Sequence, residues 1–168
     1  WELCLADDAS PASHVIRVLN EYAAKDGRIR VVRRPQNGHI SATSNSALAL
    51  ATGEYVALLD HDDELHPLAL FEVVKALQSH RSWKLVYSDE DKIDQDGRRY
   101  DPYMKPDWNY DLLLSQNCIS HLGIYQRQLM LDVGGFREGY EGSQDWDLAL
   151  RCIERLTPAD IGHIPRVL

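Results

Sequence analysis

The stretch Tyr55-Val56-Ala57-Leu58-Leu59-Asp60-His61-Asp62-Asp63 decides the fold. An apolar run of strand length ends abruptly in carboxylates. A run without polar alternation suits a strand covered on both faces. Pro67 then opens a helix at a favoured position, with Leu70, Phe71, Val74 and Leu77 on one face. The same order appears upstream. Trp1–Ala6 reads as a strand ending in Asp7-Asp8, and Val15, Ile16, Leu19, Tyr22 and Ala23 recur at helical spacing until Gly27. Ile29–Val32 is a second strand. Asn37-Gly38 is a turn, Ser41–Ala51 a helix stopped by Gly53, and Leu85–Tyr87 a further strand. This alternation predicts an α/β fold, a mainly parallel sheet flanked by helices. Ligands in such sheets bind outside the carboxyl ends of the strands. Asp7-Asp8 and Asp60–Asp63 are therefore expected to face one crevice.

The second half is less regular. Asp89–Asp107 is polar and is expected to hold a small hairpin turning at Asp96-Gly97. Asn109–Ser115 and Arg127–Val133 read as helices, the second stopped by Gly134-Gly135. Ser143 is expected to cap a helix from Gln144 to about Leu156, with Leu148, Ala149, Cys152, Ile153 and Leu156 as its buried stripe. The division expected is one domain over 1–168, with a first half at 1–88 and a second at 89–168. Trp1 opens the chain inside a strand, so a fragment lacking its first strand is expected.

Composition narrows the function. The 168 residues are 44% hydrophobic and 26% charged, which suits a folded globular domain. The net charge of −8 disfavours nucleic acid as a partner, because phosphate backbones call for clustered Lys and Arg. Cys4, Cys118 and Cys152 form no C-x-x-C pair and read as buried free thiols. The phosphate-binding motif G-x-x-x-x-G-K-[ST], the dinucleotide motif G-x-G-x-x-G and the hydrolase motif G-x-S-x-G are all absent.

Three acidic groups carry the chemistry. Crowded carboxylates at Asp60, Asp62 and Asp63 repel one another, and Mg²⁺ or Mn²⁺ bound by carboxylate oxygens would relieve the repulsion. Asp60 and Asp62, two positions apart, point the same way from an extended segment. Asp7-Asp8 could accept hydrogen bonds from a base or ribose, or cap a helix. Asp145 and Asp147 open a helix after a glycine-rich loop, a place where the helix dipole alone favours acids. A carboxylate there could also act as a general base.

Taken together, D-D-x-S, N-G-H-I-S-A-x-x-N, G-E-Y-V-A-L-L-D-H-D-D and G-S-Q-D-W-D-L resemble family 2 glycosyltransferases with the GT-A fold. Tyr87-Ser88-Asp89-Glu90-Asp91-Lys92 and Lys105-Pro106-Asp107-Trp108 are similar to the bacterial branch that builds cell-surface polysaccharides. The resemblance implies donor contacts at Asp7, Asp8, Asn45, Asp60 and Asp62, with Asp62 and Asp60 on the metal. It implies one catalytic domain, with 1–88 the nucleotide-sugar-binding half and 89–168 the acceptor-side half, and Asp145 as the catalytic base of an inverting transfer. Trp108, Asp147 and Gln144 (where the family usually carries Glu) are implied on the acceptor side, with Tyr110, Asn117 and His121 as further candidates. The implied partners are a UDP- or dTDP-sugar donor and a saccharide or lipid-linked acceptor. The implied location is cytoplasmic, with peripheral membrane association through the parent protein. Two other readings compete: a sugar nucleotidyltransferase, and a non-catalytic nucleotide-sugar-binding domain.

Overall fold

A computed structural model describes residues 1–168. The elements in order are β1 (Leu3–Asp7), α1 (Ser13–Lys25), β2 (Ile29–Arg33), α2 (His39–Leu50), β3 (Tyr55–Ala57), α3 (Ala69–Ser79), β4 (Leu85–Ile93), β5 (Arg99–Tyr103), α4 (Tyr110–Ser115), β6 (Gly123–Gln126), α5 (Arg127–Asp132), α6 (Gln144–Ile153) and β7 (Ile161–Val167). β1 and β2 pair in parallel as a two-stranded sheet. A second, five-stranded sheet runs β3-β6-β4-β5, with β7 parallel to β4.

The expected α/β architecture is present, but the sheet is mixed rather than mainly parallel. β6 runs antiparallel between β3 and β4, and β5 returns antiparallel beside the outer part of β4. The short apolar run of β6 carries no signal of direction. A strand that re-enters the sheet from the second half is invisible to local periodicity. β4 also crosses residue 88, so both halves of the chain build one sheet.

Strand alternation divides the core. Leu85, Tyr87, Tyr125 and Ile161 face one cluster, which α5 and α6 cover through Leu129, Met130, Leu148, Ala149, Cys152 and Ile153. Val86, Ile124 and Ile164 point the other way, onto Ala69 and Val73 of α3. Side chains along a strand alternate between faces, so Leu85–Tyr87 of β4 and Gly123–Tyr125 of β6 carry no polar side chain on either face because both faces are covered. The expected stripe on α6 is buried, with Leu156 packed at its edge. Ser143 holds the N-cap position of α6 without a side-chain cap bond. On α3 the buried face is Ala69 and Val73, while Phe71 and Val74 are exposed. The expected hairpin turns at Gly97, whose φ of 78° suits glycine. All three thiols are free, and burial pushes Cys152 up to about 12.

Candidate active site

β3 delivers the acidic cluster. Leu58 N–H still donates to Gly123 O at 3.0 Å, after which the chain leaves the sheet. Asp63 N–H donates to Asp60 O at 3.3 Å and closes a turn. Such a turn brings its first and fourth residues together. Asp60 and Asp63 therefore converge. Asp62 is 77% exposed, and its ion contact is the adjacent His61 ring at 3.8 Å. The expected Asp60–Asp62 pair rests on an extended segment; the structure has a turn there, which brings Asp63 beside Asp60.

His121, between α4 and β6, completes the group. Its Nδ1 lies 3.3 Å from Asp63 Oδ2 and its Nε2 3.9 Å from Asp60 Oδ2. The ligand atoms of Asp60, Asp63 and His121 lie within 4.8 Å of one another. The buried His121 Nδ1 faces the Asp63 carboxylate without forming a hydrogen bond. Two carboxylates with an imidazole suit a divalent cation. Burial pushes the Asp60 carboxyl above its ordinary range. His121 opposes the rise, and the charges of Asp63, Asp62 and Asp145 add to it.

Asp145, in the first turn of α6, is linked to this group through Asn117. Asn117 Nδ2 donates to Asp145 Oδ2 at 2.6 Å, while Asn117 Oδ1 accepts from Ser120 N–H at 3.2 Å. One irregular segment, Asn117–His121, therefore touches both Asp145 and the Asp60–Asp63 pair. A cavity of about 390 Å³ opens beside it, between Asp62, Asp63 and His121 and the β4–β5 hairpin. Asp8 and Asp145 do not line that cavity.

At the end of β1, Asp7 is buried. Its Oδ1 accepts from Ser10 N–H at 3.2 Å, and Arg33 Nε lies 3.4 Å from Oδ2. Asp8 accepts Gly38 N–H at 2.9 and 3.1 Å and pairs with Arg34 Nε at 2.9 Å. Burial raises Asp8, but Gly38 N–H, the Thr43 hydroxyl and Arg34 together hold it below the usual carboxylate range. A Cβ at Gly38 would crowd Arg34 Nη2, so the guanidinium would have to shift.

Residues 1–134 match the family described as Glycosyl transferase family 2. The chain belongs to this family. Across its full length it is 56% identical to an uncharacterized protein, y4gI, of Sinorhizobium fredii, and 40% identical to the O-antigen biosynthesis protein RfbC of Myxococcus xanthus. It spans only 18% and 13% of those proteins. Among solved structures, 99% of the chain superposes on 49% of Staphylococcus aureus TarS 1-349, with a TM-score of 0.78 and 21% identity. It superposes equally widely on 46% of the mannosyltransferase PcManGT of Pyrobaculum calidifontis, solved with GDP-Man and Mn²⁺, with a TM-score of 0.69 and 20% identity. The fold is GT-A.

This family 2 glycosyltransferase region commits several expected site residues elsewhere. Asn45 Nδ2 donates to Phe136 O at 2.8 Å, and its Oδ1 accepts Phe136 N–H at 2.9 Å, so the amide is spent on the scaffold. Asp147 is buried between Arg137 and Arg151. Trp108 packs against the main core. Gln144 Oε1 accepts Gly142 N–H at 2.7 Å and braces the loop before α6. The sequence places Asp63 in the acidic cluster and offers Asn117 and His121 only as acceptor-side candidates; it does not join His121 to Asp60 and Asp63, or Asn117 to Asp145. A lone His and a lone Asn carry no spacing signal, and only the fold brings them there.

Proposed function

We propose that the chain performs an inverting glycosyl transfer, moving a sugar from a nucleoside-diphosphate donor to a hydroxyl of a saccharide or lipid-linked acceptor during cell-surface polysaccharide synthesis. The observation that carries this reading is the segment Asn117–His121, which touches Asp145 at one end and Asp60 and Asp63 at the other. Family membership and the likeness to an O-antigen biosynthesis protein support it. Asp145 takes the proton from the acceptor hydroxyl as general base, and Asn117 fixes the orientation of its carboxylate. The acceptor oxygen forms a bond to the anomeric carbon as that carbon's bond to the diphosphate oxygen breaks. The electron pair leaves with the nucleoside diphosphate. One displacement inverts the anomeric configuration.

Asp60, Asp63 and His121 are the residues that would hold Mg²⁺ or Mn²⁺. When bound, the cation supplies positive charge for the leaving diphosphate. The neighbour solved with GDP-Man and Mn²⁺ supports a nucleotide-sugar donor and a divalent metal for this chain as well. Asp7 and Asp8, at the end of β1, border the nucleoside side, where a UDP- or dTDP-sugar is favoured. No helix is long and apolar enough to cross a membrane. The reading places the reaction in the cytoplasm, with the parent protein held at the inner membrane face.

The test is release of nucleoside diphosphate from UDP-, dTDP- and GDP-sugars, with Mn²⁺ and then with EDTA. Asp145→Asn is expected to lower kcat by about 10²- to 10⁴-fold and to keep donor binding. Normal turnover by Asp145→Asn removes it from the role of base. Pyrophosphate in place of nucleoside diphosphate moves the chain to nucleotidyl transfer.

A further inference from the structure

The Lys105 side chain is fully buried. Its ammonium has three N–H donors, and all are used: on Glu90 Oε2 at 2.8 Å, Ile119 O at 3.1 Å and His121 O at 2.7 Å. Glu90 Oε2 also accepts from Ser120 Oγ at 2.9 Å and from His121 N–H at 3.1 Å. The pair thus grips three consecutive residues of the segment that carries Asn117 and His121. That segment lies between α4 and β6 and has no ladder of its own, so its main-chain groups must find partners elsewhere.

A buried charge is costly unless it is paired and fully hydrogen-bonded, and apolar side chains often fill the same space at no loss of stability. Packing alone therefore gives little reason for a lysine at this position. Its targets give a better one. At one end of the gripped segment, Asn117 holds Asp145. At the other, His121 faces Asp60 and Asp63.

We infer that Lys105 and Glu90 are positioning residues that hold Asn117–His121 in the one geometry serving both the base and the metal-binding group. This rests on the glycosyl-transfer reading above. It assigns the pair no contact with substrate: both residues act through Asn117 and His121.

The experiment compares Lys105→Met and Glu90→Gln with the unaltered protein in two readouts. The first is hydrogen–deuterium exchange of the amides at 119–122. The second is steady-state turnover with its Mn²⁺ dependence. Lys105→Met is expected to speed exchange at 119–122 at least tenfold and leave β1 and α1 unchanged. It is expected to lower kcat by about 10- to 100-fold, raise the Mn²⁺ concentration for half-activity, and shift the donor KM less than kcat. Glu90→Gln keeps an acceptor for Lys105 and is expected to act in the same direction but less, which provides a folded variant if Lys105→Met does not fold. Asp160→Asn, at a surface ion pair near β7, controls for lost stability and is expected to leave both readouts unchanged. Unchanged exchange at 119–122 overturns the inference. So does faster exchange with unchanged kcat and Mn²⁺ dependence. If the unaltered protein releases no nucleoside diphosphate from any donor, the glycosyl-transfer reading fails, and the exchange data still decide whether the pair holds the segment.

Discussion

Asn45 of α2 and Phe136, far apart in sequence, exchange two hydrogen bonds: Asn45 Nδ2 donates to Phe136 O at 2.8 Å, and Phe136 N–H donates to Asn45 Oδ1 at 2.9 Å. The clasp ties the first half of the chain to the turn that precedes the loop of Asp145. Gly135 makes it possible. Its φ is +67°, and a Cβ there would sit 2.5 Å from Asn45 Oδ1. Asn45→Ala is expected to cost about 2 kcal/mol, at about 1 kcal/mol for each bond, or roughly 4–8 °C in a thermal melt for a chain of this size. Gly135→Ala is expected to destabilise through the same contact. A melting temperature within a degree of the unaltered protein in both variants would remove the clasp from the scaffold.

The buried Asp147 carboxylate ranks the surrounding arginines. Burial raises it, but Arg137 and Arg151 together hold it below the ordinary carboxylate range. Arg151 is mostly buried and also donates to Val133 O at 2.6 Å and Gly135 O at 2.7 Å. Arg137 is half-exposed and rests on the Tyr140 ring. Asp147→Ala leaves the buried Arg151 without its counter-charge and is expected to cost about 3 kcal/mol. Arg151→Ala is expected to cost nearly as much, and Arg137→Ala clearly less. Denaturant melts of the three variants check the order.

Metal affinity separates the turn geometry from the extended one. With Asp60, Asp63 and His121 converging, Asp63→Ala and His121→Ala are expected to weaken Mn²⁺ binding at least tenfold, whereas Asp62→Ala changes it less than about threefold. Calorimetric titration of Mn²⁺ reads this directly. The reverse order would restore Asp62 to the metal and remove Asp63.

Acid sensitivity has an identifiable source. The Thr157 hydroxyl and N–H bind Asp160, and Lys84 Nζ lies 3.1 Å from it; together they hold its carboxyl at about 2. The folded value lies below the unfolded value of about 4. The contribution is therefore fully present above about pH 4 and is lost as pH falls through about 2. Asp160→Asn is expected to be less stable at neutral pH and equal to the unaltered protein near pH 2, which flattens the profile between. Asp26, held at about 2 by Arg28, keeps some acid dependence in the variant. Urea melts across pH 2–7 test it.

Much of the first half was legible because its signals are local. The apolar run Tyr55–Leu59, the helix after Pro67 and the strand–helix alternation each follow from periodicity and turn chemistry. The second half hid β6 and β7. β6 is Gly123–Gln126, too short for a pattern, and β7 contains Gly162 and Pro165, residues that weaken a strand reading. The order β3-β6-β4 and the antiparallel direction of β6 come from which edges meet, and no residue encodes that locally.

The sequence by itself determined an α/β chain whose strands end in carboxylates, with Asp145 at the start of a helix after a glycine-rich loop. Only the tertiary structure decided which of those carboxylates meet. The turn at Asp60–Asp63 brought Asp63 beside Asp60, and the irregular segment before β6 brought His121 to that pair and Asn117 to Asp145. The reason is physical. Strand and helix signals depend on neighbours in the chain, whereas a site depends on distances between side chains, and those exist only once β4, β6 and α6 have packed around a shared core.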